Sequence, residues 1–445
     1  MDAPLYNSLK QIGKERRISF AMPGHKGRTE AFLPIPDMTE TYRGEDLHHE
    51  SPAVSEANQR LAKIYGARRS FILSGGSTTA VRSMMFSCLK PGDTVLISED
   101  CHMSVIHTAV LLGLKIGVIQ KEFNSDFLIP DRSLRLAEAF ELHKGAKAVI
   151  ITSPSYYGIC ADIKVAAELC AKYNALLLVD EAHGAHFPFS PLLPQSAAAN
   201  ADMVCQSAHK TLNALTGAAY LHVCSDSVDA ERVRECINIF ETSSPSYPIA
   251  ASADIAASTA DGWSECVEKC RCLRRKISDM DFDVLENDDA TRLVICFSRY
   301  DITGFDIEKI LAEKYDTDVE MADLTNIVLI VTPSNTDSDF ERLLLALGEI
   351  KRNLIPKKRI FEFTLITRRE LTEPREAFFA EGEITPLRKA KGKISKSTVV
   401  AYPPGTPIII CGERITAEQI LLLRTLFEAG AKINGMPKNG IETVK

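Results

Sequence analysis

The sequence predicts an α/β protein: a large domain on a mainly parallel seven-stranded sheet, a smaller α+β domain, and a C-terminal domain. Three observations lead to this. From about residue 56, short apolar runs alternate with longer helical stretches. The run Ala175-Leu176-Leu177-Leu178-Val179 is apolar throughout, the pattern of a strand covered on both faces. A chain of 445 residues also exceeds what one hydrophobic core usually covers.

Taken in order, residues 1–55 read as an N-terminal arm. Phe20-Ala21-Met22-Pro23-Gly24-His25-Lys26-Gly27-Arg28 and Leu33-Pro34-Ile35-Pro36 are punctuated by Pro and Gly and hold no sustained period. The large domain, 56–260, contains strand-like runs at Ser70–Leu73, Thr94–Ser98, Lys115–Ile119, Lys147–Thr152, Ala175–Asp180, Met203–Gln206 and Gly217–Val223. Helical stretches separate many of them, at Thr79–Leu89, Ser104–Leu112, Ser133–Lys144 and Ile163–Tyr173, which makes a parallel, helix-flanked sheet. After the Ser/Pro-rich junction Thr242-Ser243-Ser244-Pro245-Ser246-Tyr247-Pro248, helices are expected over roughly Ile249–Met280. The small domain, 261–365, offers strands near Thr291–Phe297 and Ile327–Val331 and helices near Asp306–Lys314 and Asp337–Ile350. In the C-terminal domain, 366–445, a basic helix is expected at Pro386–Lys396, a Pro/Gly stretch follows at Tyr402–Pro407, and a last helix runs over Ala417–Ala429.

A net charge of −7 argues against a nucleic-acid or anionic-membrane binder, which normally carries a basic surface. No apolar run approaches the roughly 18 residues of a transmembrane span, and Met1–Arg17 lacks the apolar stretch of a secretory signal. The twelve cysteines are scattered, many of them in apolar runs, and form no paired metal-ligand spacing. Buried free thiols, no metal site and a cytoplasmic location are therefore expected.

Three local strings carry chemistry. Lys210 lies in Ser207-Ala208-His209-Lys210-Thr211-Leu212, among apolar and hydroxylic neighbours. Asp180 ends the most apolar strand, where a carboxylate is costly unless paired. Gly75-Gly76-Ser77-Thr78-Thr79 leaves a strand and enters a helix, so its N–H groups and the Ser77 and Thr78 hydroxyls can meet a phosphate. An amine, a carboxylate and a phosphate turn are the attachments pyridoxal phosphate needs: a Schiff base, a partner for the pyridine nitrogen and a phosphate site. Ser207 and His209 can reach the phosphate, and His102 follows its strand at the depth of a ring-stacking imidazole. Each residue also has a plain reading: a helix-capping turn, a structural or metal-ligating Asp180 with His183 and His186, a surface lysine, a capping histidine. Asp180-Glu181-Ala182-His183 also spells a helicase motif, but the phosphate loop which that reading requires is missing from the sequence.

With these residues in hand, the chain resembles the ornithine/lysine/arginine decarboxylase family of fold-type I, pyridoxal-phosphate-dependent enzymes. The resemblance runs nearly end to end, through Met22-Pro23-Gly24-His25-Lys26-Gly27, Gly76-Ser77-Thr78, Cys101-His102-Met103-Ser104, Thr152-Ser153-Pro154-Ser155-Tyr156-Tyr157-Gly158, Asp180-Glu181-Ala182-His183-Gly184-Ala185-His186, Ser207–Leu212, Thr242–Tyr247 and Tyr402-Pro403-Pro404-Gly405-Thr406-Pro407. It implies an aspartate-aminotransferase-like large domain with Lys210 as the Schiff-base lysine and Asp180 as the pyridinium partner. His102 and Ala182 would cover the two ring faces. Gly76, Ser77, Thr78, Ser207 and His209 would hold the phosphate, and His183 would complete the cofactor shell. Thr242 or Ser243 would reach the partner subunit's phosphate across a dimer interface. The long enterobacterial members carry an N-terminal wing before the cofactor domain, whereas here the cofactor motifs begin near residue 74. The short form implies a homodimer or a dimer of dimers with shared active sites. The expected reaction is decarboxylation of arginine, lysine or ornithine to the amine, as in polyamine biosynthesis, with Lys210 or His209 returning a proton to Cα. An aminotransferase, a lyase or a non-catalytic cofactor-binding protein is the alternative. Glu241, Glu376, Glu381 and Glu383 are candidates for the substrate's cationic end.

Overall fold

The structure, a computed structural model, describes residues 18–26, 28, 40, 45–356, 371, 373–401, 405–437 and 440–445. The Leu33–Pro36 stretch, Tyr402-Pro403-Pro404 and the domain boundary expected near residue 366 lie outside the described residues.

The central sheet has seven strands: β1 (Arg69–Leu73), β2 (Thr94–Ser98), β3 (Lys115–Ile119), β4 (Ala148–Thr152), β5 (Leu176–Asp180), β6 (Met203–Gln206) and β7 (Ala219–Val223). Their spatial order is β1-β7-β6-β5-β4-β2-β3. Strand β7 runs antiparallel to both its neighbours, and every other pair is parallel. Successive side chains leave a strand on opposite faces. Val149 and Ile151 accordingly enter one core, while Ala148 and Ile150 enter the other. Two-sided burial accounts for the unbroken apolar runs. The carboxyl ends of β2, β4, β5 and β6 lie along one rim, where open α/β sheets bind ligands.

Two helices bear on that rim. Helix α1 (Gly76–Cys88) starts three residues after β1, and α2 (Met103–Leu112) starts behind the loop that leaves β2. The smaller unit is an antiparallel sheet of β8 (Asp283–Val284), β9 (Arg292–Cys296), β10 (Met321–Ala322) and β11 (Asn326–Ile330), in the order β8-β9-β11-β10. The helices Gly304–Tyr315 and Asp337–Asn353 pack beside it, each opened by a Thr–Asp capping box. A strand at Ile18–Ser19 pairs in parallel with Thr317–Asp318 and ties the arm to this unit.

Two expectations need correcting. Pro386–Lys396 is not a helix: Pro386 closes the strand Gly382–Pro386, one turn of 3₁₀ helix covers Leu387–Lys389, and Gly392 turns left-handed at φ +80°. The helix expected from Ser133 starts only at Leu136, because Ile129–Leu134 pairs with Lys121–Asn124 in a hairpin not foreseen from sequence. The helices expected over roughly Ile249–Met280 are present as two, Tyr247–Ser258 and Trp263–Asp279, separated at Gly262, whose φ is +76°. Among the described residues, no helix is long and apolar enough to cross a membrane.

Candidate active site

Asp180 is buried at the end of β5. Its Oδ1 accepts the N–H of Ala182 at 3.1 Å and faces the Cys205 thiol at 3.6 Å. Next along the rim, Lys210 sits on the short helical turn Ala208–Thr211 that follows β6. Its Nζ lies 3.0 Å from His183 Nε2 and 5.5 Å from the centre of the Tyr156 ring, and that ring packs 4.2 Å from the imidazole of His183.

Burial lowers the pKa of Lys210, Asp180 and Glu320 oppose that, and Arg292 adds to it. Burial also keeps His183 neutral. A guanidinium nitrogen of Arg292 lies 3.4 Å from His183 Nδ1, and a guanidinium can only donate. Nδ1 is then the acceptor, and the ring proton sits on Nε2, facing Lys210. Only a neutral amine can receive it. The chain Arg292–His183–Lys210 therefore favours an unprotonated, nucleophilic lysine.

His102 is the N-cap of α2, with Nδ1 accepting from the Ser104 N–H at 3.2 Å and lying 2.9 Å from its hydroxyl. Burial pushes its pKa down to about 4, Asp180 opposes that, and Lys210 and His107 reinforce it. His102 is thus within the field of both central residues. His209 is likewise pushed down to about 4 by burial, and its Nδ1 lies 3.0 Å from the carbonyl of Ala218, to which it donates.

The phosphate turn differs in detail from its sequence reading. The N–H of Gly76 goes to the carbonyl of Gly217 at 2.8 Å, so Gly76 supplies a left-handed φ of +77° rather than a donor. The N–H groups of Ser74 and Gly75 donate to Glu241 at 3.3 and 3.1 Å, as does the Ser74 hydroxyl at 3.0 Å. Glu241 therefore clamps this turn, with both of its oxygens engaged by donors of the turn. Ser77 and Thr78 stand in the first turn of α1, where N–H groups lack intrahelical partners. The hydroxyl of Ser207 is fully buried and has no partner.

Other sequence candidates fall elsewhere. Ser243 is exposed, two residues beyond the Glu241 clamp. Glu376 is exposed, and Glu381 and Glu383 pair with Lys445 and Lys393. His186 turns to Asp289 and Thr291. Glu181 accepts from Ser196, Ala197 and Gln206 at 2.6–2.7 Å and pins the loop after β5.

Two charged residues of this cluster were missed in the sequence reading. Arg292 opens β9, is 1% exposed, and leaves Nε and one terminal nitrogen without partners. Glu320 takes the N–H of Met22 on one oxygen at 2.8 Å and leaves the other buried and unpartnered. Glu320 also feels the charges of Arg292, Lys210 and Lys26. Neither residue stands in a recognisable local string.

The family model described as Orn/Lys/Arg decarboxylase, major domain, matches residues 3–296, and the corresponding C-terminal domain model matches 368–441. The chain belongs to the Orn/Lys/Arg decarboxylase family. An arginine decarboxylase of Bacillus subtilis (strain 168) is 30% identical over 478 aligned positions, covering 100% of this chain and 97% of that protein. Among solved structures, the constitutive lysine decarboxylase of E. coli superposes with a TM-score of 0.78 at 20% identity, over 99% of this chain and 81% of that one. A serine palmitoyltransferase of Sphingomonas wittichii superposes with a TM-score of 0.61 at 16% identity, over 76% of this chain and 88% of that one. At these identities the two superpositions speak for the fold, which is that of fold-type I enzymes. Membership of the Orn/Lys/Arg decarboxylase family makes the chain an amino-acid decarboxylase.

Proposed function

We propose that the chain holds pyridoxal phosphate on Lys210 and decarboxylates a basic amino acid (arginine, lysine or ornithine) to its amine. The carrying observation is the meeting of a desolvated amine and a buried carboxylate, Lys210 and Asp180, beside the unpartnered hydroxyl of Ser207. A buried polar atom without a partner costs stability until a ligand satisfies it. A phosphate suits that hydroxyl together with Ser77, Thr78 and the N-terminus of α1. Asp180 would take the ring N–H, and His102 and Ala182 would cover the two ring faces. When bound, the cofactor supplies an electron sink for the pair released as the Cα–carboxylate bond breaks.

The chain's own residues do the rest. His183 keeps the Lys210 amine unprotonated. A pocket of low polarity around Lys210 would favour loss of a charged carboxylate as neutral CO₂. Lys210 then returns a proton to Cα; His209 is the weaker candidate, since its ring proton is held on Nδ1 by the Ala218 carbonyl. The unpartnered oxygen of Glu320 is the acceptor best placed for a guanidinium or ammonium end, since both oxygens of Glu241 are engaged in holding the turn. Ser243, exposed on its loop, would reach the site of a second copy in a homodimer.

The test is CO₂ release by purified, cofactor-loaded protein from arginine, lysine and ornithine. Release from at least one of them is expected, and none from all three would overturn the reading. Conversion to a keto acid without CO₂ would indicate an aminotransferase. Glu320→Gln is expected to lower kcat/KM roughly 10- to 100-fold, the usual worth of a charged hydrogen bond.

A further inference from the structure

We propose that a cavity bordered by Tyr156 is a separate, non-covalent site for a small aliphatic ammonium ion. The cavity measures about 240 Å³, room for a short aliphatic diamine. Its walls come from all parts of the chain: Thr152 and Tyr156 from the rim of the central sheet, Leu324 from beside β10, and Ile408 and Leu426 from the C-terminal region. Lys210, Asp180 and His102 are not in its lining; Tyr156, packed on His183, and Thr152, paired with Asp180 across neighbouring strands, are the walls nearest their cluster.

The chemistry of the walls selects the ligand. Three carboxyl side chains line the cavity, Glu99, Asp100 and Asp323, and among the described residues no Lys, Arg or His does. The Asp100 side chain is only 8% exposed. One of its oxygens meets Lys121 Nζ at 2.6 Å, while the other is buried without a partner. The Thr152 hydroxyl, on the same wall, is also buried and unpartnered. These two acceptors can take N–H donors that the protein itself does not supply. The rings of Phe123, Tyr156 and Tyr157 offer faces that attract an alkylammonium group. The remaining wall is largely aliphatic and suits a hydrocarbon body rather than a hydrated metal ion.

Occupancy would bear on the reaction through Tyr156, whose other neighbours are His183 and Lys210. An amine product has the required chemistry, so the site would sense product; that meaning rests on the reaction proposed above, whereas the binding itself does not.

The test titrates 1,4-diaminobutane into the cofactor-loaded full chain by calorimetry, comparing it with Leu426→Trp, which fills the cavity, and Thr152→Val, which removes one acceptor at constant shape. The expected result is a saturable binding component that L426W abolishes and T152V weakens about tenfold. L426W should keep its initial rate of CO₂ release within about twofold, because Leu426 lies outside the Lys210 cluster. Loss of that component in L426W supports the site whether or not the protein releases CO₂. Isotherms that match in wild type and folded L426W overturn it. Should L426W fail to fold, an unchanged affinity in T152V overturns it.

Discussion

A lysine amine in water stays protonated to a pH of about 10.4, so Lys210 can attack carbon near neutrality only if its surroundings remove that proton. Two agents do so here. Burial acts first, and the positive charge of Arg292 adds to it, with His183 presenting its proton to the amine. Arg292→Met deletes that charge at similar length. Its Lys210 pKa is expected to rise, moving the acid limb of the pH–rate profile upward by roughly one unit. A profile that keeps its wild-type acid limb would show that Arg292 only packs. Lys210→Ala, as the control, should abolish CO₂ release. Lys210 and Asp180 were legible in the sequence because each sits in a short string that the rim of the sheet preserves as a unit. Arg292 and Glu320 were not, because what distinguishes them is burial with some of their polar atoms left unpartnered, and burial arises only when the small unit meets the rim.

At the scale of elements, the strands were legible for a physical reason. A strand buried on both faces must be apolar at consecutive positions, and β3 and β2 lie at the residues expected. Hairpins and turns on the surface leave weaker marks, and the Lys121–Leu134 hairpin and the broken Pro386–Lys396 stretch were misread there. The contact between arm and site was also invisible. Gly24 donates its N–H to the carbonyl of His209 at 2.7 Å. A Cβ at Gly24 would come within 2.4 Å of the Leu212 carbonyl oxygen and 2.6 Å of that of Thr211, both on the turn that carries Lys210. These are backbone atoms and cannot swing aside. Gly24→Ala should therefore displace the arm, at a cost of about 1–3 kcal/mol, and lower kcat/KM at least severalfold. Wild-type thermal stability and kinetics in G24A would show that the arm does not brace the lysine turn.

For the molecule as a whole, buried histidines set the response to acid. His222 is fully buried between Ser70 and Gln206 and is pushed down to about 3, while His102 and His209 are each pushed to about 4. In the unfolded chain each takes up a proton below about pH 6.5, but the folded protein resists until about pH 3–4. Stability contributed by the neutral rings is therefore present above pH 6.5 and falls progressively as the pH drops through that window. The His222 share alone is on the order of 5 kcal/mol over the full window. Glu181, pushed up to about 7 by burial, acts in the opposite sense between pH 4.5 and 7 and softens the decline. His222→Gln should lose less stability than wild type between pH 6.5 and 4 in denaturant titrations. Parallel losses in the two proteins would remove His222 from the account.

The parallel pairing of Ile18–Ser19 with Thr317–Asp318, the bond from Met22 to Glu320 and that from the Thr332 hydroxyl to the Gly24 carbonyl have a consequence in time. A ribosome delivers the arm first and its docking partners some three hundred residues later. At about 5–20 residues per second, the arm waits on the order of 15–60 s before Thr332 emerges. Lys210 is made during that interval, so its turn exists before the arm can take its place beside it. The contacts between the arm and that turn thus wait until the segment around Thr332 has been made.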